Sequence, residues 1–213
     1  MVMYVGVALG CVWCWPGAIL VTMLWLWGVM FFRDPDRRTP TEPGVLVGAA
    51  DGVVTESAVV ENDPWVKGPA TRVSVFLSVF DVHVNRSPCS GVVRSVEYQP
   101  GRFLDARDPR SGTLNEANTI EIEPDEPGIE KVVVRQIAGK IARRIVCTVK
   151  PGDRVERGQR IGLIKFGSRT EIIVSGRNTC EPTLKVGDRM YGAVTVIARC
   201  TSAGRAGGTE APK

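Results

Sequence analysis

After residue 40 the chain breaks into short apolar runs bounded by Gly, Pro, Asn or Asp. The runs are GVVTESAVV (52–60), TRVSVFLSV (71–79), GVVRSVEY (91–98), NTIEIE (118–123), KVVVRQIA (131–138) and RRIVCTV (143–149), continued by RIGLIKF (160–166), RTEIIV (169–174) and YGAVTVIA (191–198). Short, β-branched runs between turn residues predict strands. No long stretch carries a 3.6-residue amphipathic period. The expected fold is therefore mostly β, a barrel or sandwich. The polar segment DARDPRSGTLNEAN (105–118) reads as a mobile loop, and the small, polar tail 201–213 as disordered.

The start of the chain follows a different pattern. Residues 1–32 contain no Asp, Glu, Lys, Arg or His, and RDPDRR begins abruptly at Arg33. About 20 apolar residues cross a bilayer as a helix, so residues 1–32 are expected to be a membrane anchor. One span or a re-entrant hairpin broken at Pro16-Gly17 both fit. A secretory signal fits less well, because no basic residue precedes the apolar run. A buried core helix would need a larger soluble body to cover it. Trp13, Trp15, Trp25 and Trp27 suit an interface, and Arg33, Arg37 and Arg38 suit a cytoplasmic, anionic membrane face. The expected location is the cell membrane, with the β-rich body (33–200) on the cytoplasmic side.

Composition narrows the reading further. The 213 residues are 44% hydrophobic and 23% charged, and 27 Lys and Arg against 23 Asp and Glu give a net charge of +4. That is too mild to argue for nucleic acid, and no basic stripe with interleaved aromatics appears. Cys11, Cys14, Cys89, Cys147, Cys180 and Cys200 are scattered and read as reduced packing residues, with no metal expected. An internal echo joins VKPGDRVERGQRIG (149–162) to LKVGDRMYGAV (184–194), both built on a Gly-Asp-Arg turn. Such turns recur in biotinyl- and lipoyl-carrier-like hammerheads. No Lys here sits in a modification context, so the echo points to a hammerhead-like folding unit and not to a carrier.

Three places carry candidate chemistry. The single histidine, His83, stands in FLSVFDVHVNRSP. If that stretch is one strand, the face of Val75, Leu77 and Val79 continues as Asp81, His83 and Asn85. Asp81 would then orient the ring and favour its charged form. On spacing alone, a satisfied surface histidine is the plainer reading. Asp51, in AADGVV, reads locally as a turn residue. Gly167-Ser168, between two strand-like runs, does too.

Taken in order, these stretches resemble the phosphatidylserine decarboxylases, in the short membrane-anchored form also found among archaeal-type enzymes. The resemblance rests on FFRDPDRRTP, AADGVV, FLSVFDVHVNRSP and ARRIVCTVKPGDRVERGQRIGLIKFGSR, and spans about residues 27–198. It implies a precursor that cuts itself between Gly167 and Ser168, giving chains 1–167 and 168–213. Ser168 is the implied nucleophile and Gly167 the scissile carbonyl. The serine ends as a pyruvoyl group that forms a Schiff base with the amine of a membrane phospholipid. Phosphatidylserine would be decarboxylated to phosphatidylethanolamine.

A serine hydroxyl needs a base, and His83 and Asp51 are the candidates. His83 is the expected general acid that later returns a proton to the substrate. Asp81, Asn85 and Arg86 are the expected substrate contacts. Longer bacterial relatives carry a second histidine at the position of Arg86, so His83 is expected to serve both cleavage and decarboxylation. Three alternatives remain beside this reading: an archaetidylserine decarboxylase, a non-enzymatic, membrane-anchored hammerhead that binds a partner, and a pyruvoyl decarboxylase for a small amino acid, against which the anchor argues. Whether the protein forms a homo-oligomer is left open.

Overall fold

The computed structural model describes residues 2–140, 144–165, 167–176 and 180–200, without the side chains of 2–14 and 176. The tail expected to be disordered, 201–213, lies outside the described residues. The chain forms two compact units, Met1–Asp34 and Pro35–Lys213.

In the first unit one helix, α1 (Val2–Phe31), runs unbroken through Pro16. The hairpin reading is thereby replaced by a single helix. Its side chains are described from Trp15 onward, and among the described residues no helix is long and apolar enough to cross a membrane.

The second unit is mostly β. Its strands are β1 (Val45–Val47), β2 (Gly52–Asp63), β3 (Gly68–Leu77), β4 (Val84–Arg86), β5 (Gly91–Gln99), β6 (Ala117–Pro124) and β7 (Ile129–Ile137). They continue as β8 (Ile145–Cys147), β9 (Arg154–Val155), β10 (Arg160–Ile164), β11 (Ser168–Gly176), β12 (Cys180–Pro182), β13 (Arg189–Met190) and β14 (Val196–Cys200). The long sheet has the order β13-β2-β3-β11-β7-β6-β5-β9 and curls as a half-barrel. Two short sheets, β1-β14-β12 and β4-β10-β8, complete the unit. Alternate residues of the long strands, among them Val54, Val75, Leu77, Ile120, Val134 and Ile172, fill one buried core.

The Gly-Asp-Arg echo is a true structural repeat. In one copy Lys150 N donates to Asp153 Oδ2, Gly152 N to Val93 O, and Val93 N to Asp153 O. In the other, Lys185 N donates to Asp188 Oδ2, Gly187 N to Val54 O, and Val54 N to Asp188 O. Each turn leads into an edge strand, β9 or β13, at opposite ends of the long sheet. The likeness extends outward. A Cβ on Gly52 would lie 2.1 Å from Phe76 O, and one on Gly91 would lie 2.2 Å from Glu123 O. The short sheets match strand for strand, β1-β14-β12 with β4-β10-β8. One repeat is thus β4 to β10. The other is β1 to β3 resumed by β11 to β14, with the first inserted inside it.

Three sequence expectations change. Segment 105–118 is folded, not a mobile loop. It holds a short helix, α2 (Ser111–Leu114), and Asn115 donates to Leu104 O and Ala138 O while accepting from Leu104 N. Beneath it, buried Arg135 bonds Gly112 O and Glu171 and stacks on Trp65 at 3.8 Å. Polarity here serves inward hydrogen bonds, not solvent. Second, Cys180 and Cys200 are joined in a disulfide, so not every cysteine is reduced. They are register partners on β12 and β14, with Cα atoms 4.1 Å apart. Third, of the run 191–198 only the end from Val196 is strand; Tyr191 to Thr195 form a turn.

Candidate active site

The chain passes from one repeat to the other twice, through residues 78–83 after β3 and residues 165–167 after β10. His83 ends the first crossover and Gly167 ends the second. Strand pairing brings them together: Leu163 of β10 pairs with Val84 of β4, and Ile164 N donates to His83 O.

The first crossover is a turn, not a continuation of β3. Asp81 N donates to Ser78 O, and Ser78 N donates to Asp81 Oδ2. The single-strand face expected for Val79, Asp81 and His83 is therefore broken. His83 is fully buried instead of lying at the surface. Its Nδ1 lies 2.9 Å from the main-chain carbonyl of Asp81. A carbonyl only accepts, so Nδ1 carries the proton. Nε2 accepts the Gly167 N–H at 3.2 Å, so Nε2 is unprotonated. The ring is a neutral imidazole whose Nε2 lone pair is directed at the Gly167-Ser168 junction, where it holds the Gly167 N–H. The expected orienting role of the Asp81 carboxylate falls instead to its carbonyl. The carboxylate pairs with Arg189.

At the junction, Gly167 has φ +65°, a left-handed conformation that side chains disfavour. Its carbonyl oxygen faces Gly139, where a Cβ would come within 2.2 Å. The register explains this: Arg169 pairs with Ile137, so two residues further Gly139 stands opposite Gly167. Ser168 opens β11, paired with Leu77 of β3. The serine is fully buried, and its hydroxyl has no hydrogen-bond partner among the described residues. An unsatisfied buried hydroxyl costs about 1–3 kcal/mol, and such groups call for an explanation in function.

The other predicted residues are committed within the fold. Asp51 is buried, with Oδ2 bound by Arg37 at 2.8 Å and Oδ1 by Gly192 N at 2.8 Å. The repeat accounts for the second bond, since Ser90 Oγ accepts Arg157 N at the matching position. Asn85 is fully buried in an amide chain: it donates to Thr170 Oγ1 and accepts from Gln136, which accepts from Asn118. Arg86 donates to Gly158 O and Pro35 O. Asp81, Asn85 and Arg86, the expected substrate contacts, all hold hydrogen bonds within the fold. Sequence reading missed Gly139, Thr170 and Gln136. Only Gly139 left a trace, as a glycine closing a β-branched run.

A cleft of about 290 Å³ opens beside Gly167, lined by Phe76, Ser78, Val79, Asp105, Arg107 and Lys140, among others. Arg107 holds Asp105 through Nε at 3.1 Å and a second nitrogen at 2.8 Å, with its guanidinium over the Phe76 ring at 5.5 Å. The Arg107 side chain, and then its backbone N–H, hold the Asp105 carboxyl down at about 2.

A buried hydroxyl with no partner among the described residues, a left-handed glycine before it and a neutral imidazole at their junction bring a nucleophile, a carbonyl and a base together. A serine so placed also fits conversion to a pyruvoyl group, because the new chain end would already lie beside the cleft. The phosphatidylserine decarboxylase family profile matches residues 25–198. Proteins named phosphatidylserine decarboxylase proenzyme are similar over most of their length. That of Carboxydothermus hydrogenoformans is 47% identical, covering 87% of this chain and 84% of its own. That of Symbiobacterium thermophilum is 46% identical over 86% and 83%, and that of Solidesulfovibrio magneticus 44% over 87% and 85%. The chain belongs to the phosphatidylserine decarboxylase family. It is a carboxy-lyase that works with a pyruvoyl group.

Proposed function

We propose that the protein decarboxylates phosphatidylserine to phosphatidylethanolamine after cutting itself at Gly167-Ser168, with His83 as the proton carrier for both reactions. The observation that carries this reading is the Nε2 lone pair of His83 at the scissile junction. His83 Nε2 takes the hydroxyl proton as Ser168 Oγ attacks the Gly167 carbonyl carbon. The peptide C–N bond breaks, the nitrogen of residue 168 leaves protonated, and Gly167 is held as an ester. Loss of the Ser168 α-proton then expels the Gly167 carboxylate from Cβ. Chain 1–167 departs, and residue 168 is left as dehydroalanine. Water replaces its nitrogen, released as ammonia, and leaves the pyruvoyl.

The pyruvoyl group supplies an electron sink, conjugated to the substrate nitrogen, for the pair released with CO2. His83 Nε2 then delivers a proton to the substrate Cα. Asp51 acts at a remove, by fixing Arg37 and the Gly192 turn. Replacing His83 by Ala is expected to slow cleavage by at least about 100-fold, the low end of general acid–base catalysis. Normal cleavage of that variant, with a blocked small chain, would remove His83 from the role. The non-enzymatic binding module explains neither the buried Ser168 hydroxyl, which has no partner among the described residues, nor the family match. No observation favours an ether-linked substrate over a diacyl one.

The apolar helix is the membrane attachment in this reading, with the β-rich body on the cytoplasmic face. Support comes from consecutive apolar side chains, Ile19 to Val21 and Met23 to Leu26, all exposed, so that no single face is apolar. Deleting residues 1–32 should impair turnover of phosphatidylserine in vesicles far more than turnover of a short-chain soluble analogue. Equal loss on both would contradict the anchor's part in substrate access.

A further inference from the structure

With Arg86 spent on two carbonyls, the cation expected to meet the phospholipid headgroup has to come from elsewhere. The cleft beside Gly167 supplies it. We propose that this cleft is the headgroup site, with Lys140 as the cation that binds the phosphodiester; the inference rests on the decarboxylase reading above. Lys140 lies directly after Gly139, opposite the scissile glycine, and its side chain is exposed at the cleft. Among the described residues it makes no ion pair. Arg107 pairs with Asp105, and Lys140 acts on the same carboxylate at longer range, so two cations share one carboxylate and one positive charge is left over in the cleft. Phe76, Val79 and Ala106 give an apolar wall for the glycerol end of a lipid.

Chemistry assigns that charge to the phosphodiester, not the carboxylate. The carboxylate leaves as CO2, and a cation gripping it would stabilise the ground state more than the transition state. The phosphodiester keeps its charge throughout, so holding it positions the reacting end at no such cost. A free amino acid has no phosphate, so Lys140 also favours the lipid over serine.

The test uses the full-length chain. With phosphatidylserine in mixed micelles, Lys140→Ala should raise KM about tenfold, as expected for one lost charge-assisted contact at an open site. Self-cleavage involves no substrate and should proceed, as intact mass would report. Lys140→Arg should restore KM. An independent reading comes from Ser168→Ala, which cannot cut itself. It should bind sn-glycero-3-phosphoserine about tenfold more tightly than the Ser168→Ala, Lys140→Ala double variant does. Unchanged KM and unchanged binding would overturn the proposal, as would failure of Lys140→Ala to cleave. Inorganic phosphate bound as tightly as the diester would assign the cleft to a free anion and also overturn it. If the wild-type chain neither cuts itself nor decarboxylates the lipid, the parent reading fails. If it does both and Lys140→Ala behaves like wild type, only this inference fails.

Discussion

At the scale of single residues, the site depends on what each side chain leaves open. Gly139 matters because it has no Cβ: one would stand 2.2 Å from the Gly167 oxygen, far inside van der Waals contact. Gly139→Ala must therefore displace the Gly167 carbonyl, the one Ser168 attacks in the proposed cleavage. Cleavage should slow at least tenfold, since misplacing reacting atoms by about 1 Å costs up to about 100-fold. Circular dichroism should stay that of the wild type, and a cleavage rate equal to wild type would contradict the contact. His83 shows how much the sequence disclosed. Its residue type and the Phe-Gly-Ser motif named the chemistry. Its burial, tautomer and bond to Gly167 depend on a turn at Ser78 to Asp81 that alternation along the strand concealed. Asp51 was singled out for its setting, yet one of its two bonds recurs in the other repeat with Ser90 in its place. The bond to Arg37 is what sets it apart.

At the scale of elements, strands inside β-branched runs were legible, the three-residue β8 within RRIVCTV (143–149) among them, and most other strands of two or three residues were not. The runs behind β2, β3, β5, β6, β7 and β11 carry their own β-branched pattern. By contrast β1, β4, β9, β12 and β13 have two or three residues each, and long-range pairing alone defines them. The disulfide was hidden for the same reason, because only the β12–β14 register makes Cys180 and Cys200 neighbours. Both cysteines lie after residue 167, so the bond staples the small chain to itself and not to the large one. Its sequence separation is 20 residues. Loop-closure entropy for a loop of that size predicts that Cys180→Ser lowers stability by about 3 kcal/mol. Urea unfolding of the processed protein, with and without the substitution, measures this; no shift in midpoint would mean the bond does not form. Cys89, by contrast, is a packing residue as expected: it is fully buried, and burial pushes its thiol up.

At the scale of the whole molecule, the proposed cut falls where one repeat, inserted into the other, ends. The second crossover ends where the outer repeat resumes, at Ser168. Cutting there separates the chain without dividing the inserted repeat. In the uncut chain β11 lies between β3 and β7 in the long sheet, β13 pairs β2 and β14 pairs β1. Four strand pairings, β11 with β3 and with β7, β13 with β2 and β14 with β1, would therefore hold the two chains together without a covalent link. The Gly-Asp-Arg echo and the Gly-Val-Val openings of 52–60 and 91–98 are traces of this architecture in the sequence; the nesting was illegible because the two halves of the outer repeat are far apart along the chain. The most direct test of the central claim is the intact mass of the purified wild-type protein under denaturing conditions. The account predicts two species, residues 1–167 and 168–213, the smaller bearing a pyruvoyl end blocked to Edman degradation. A single uncut chain in a preparation that decarboxylates phosphatidylserine would contradict it.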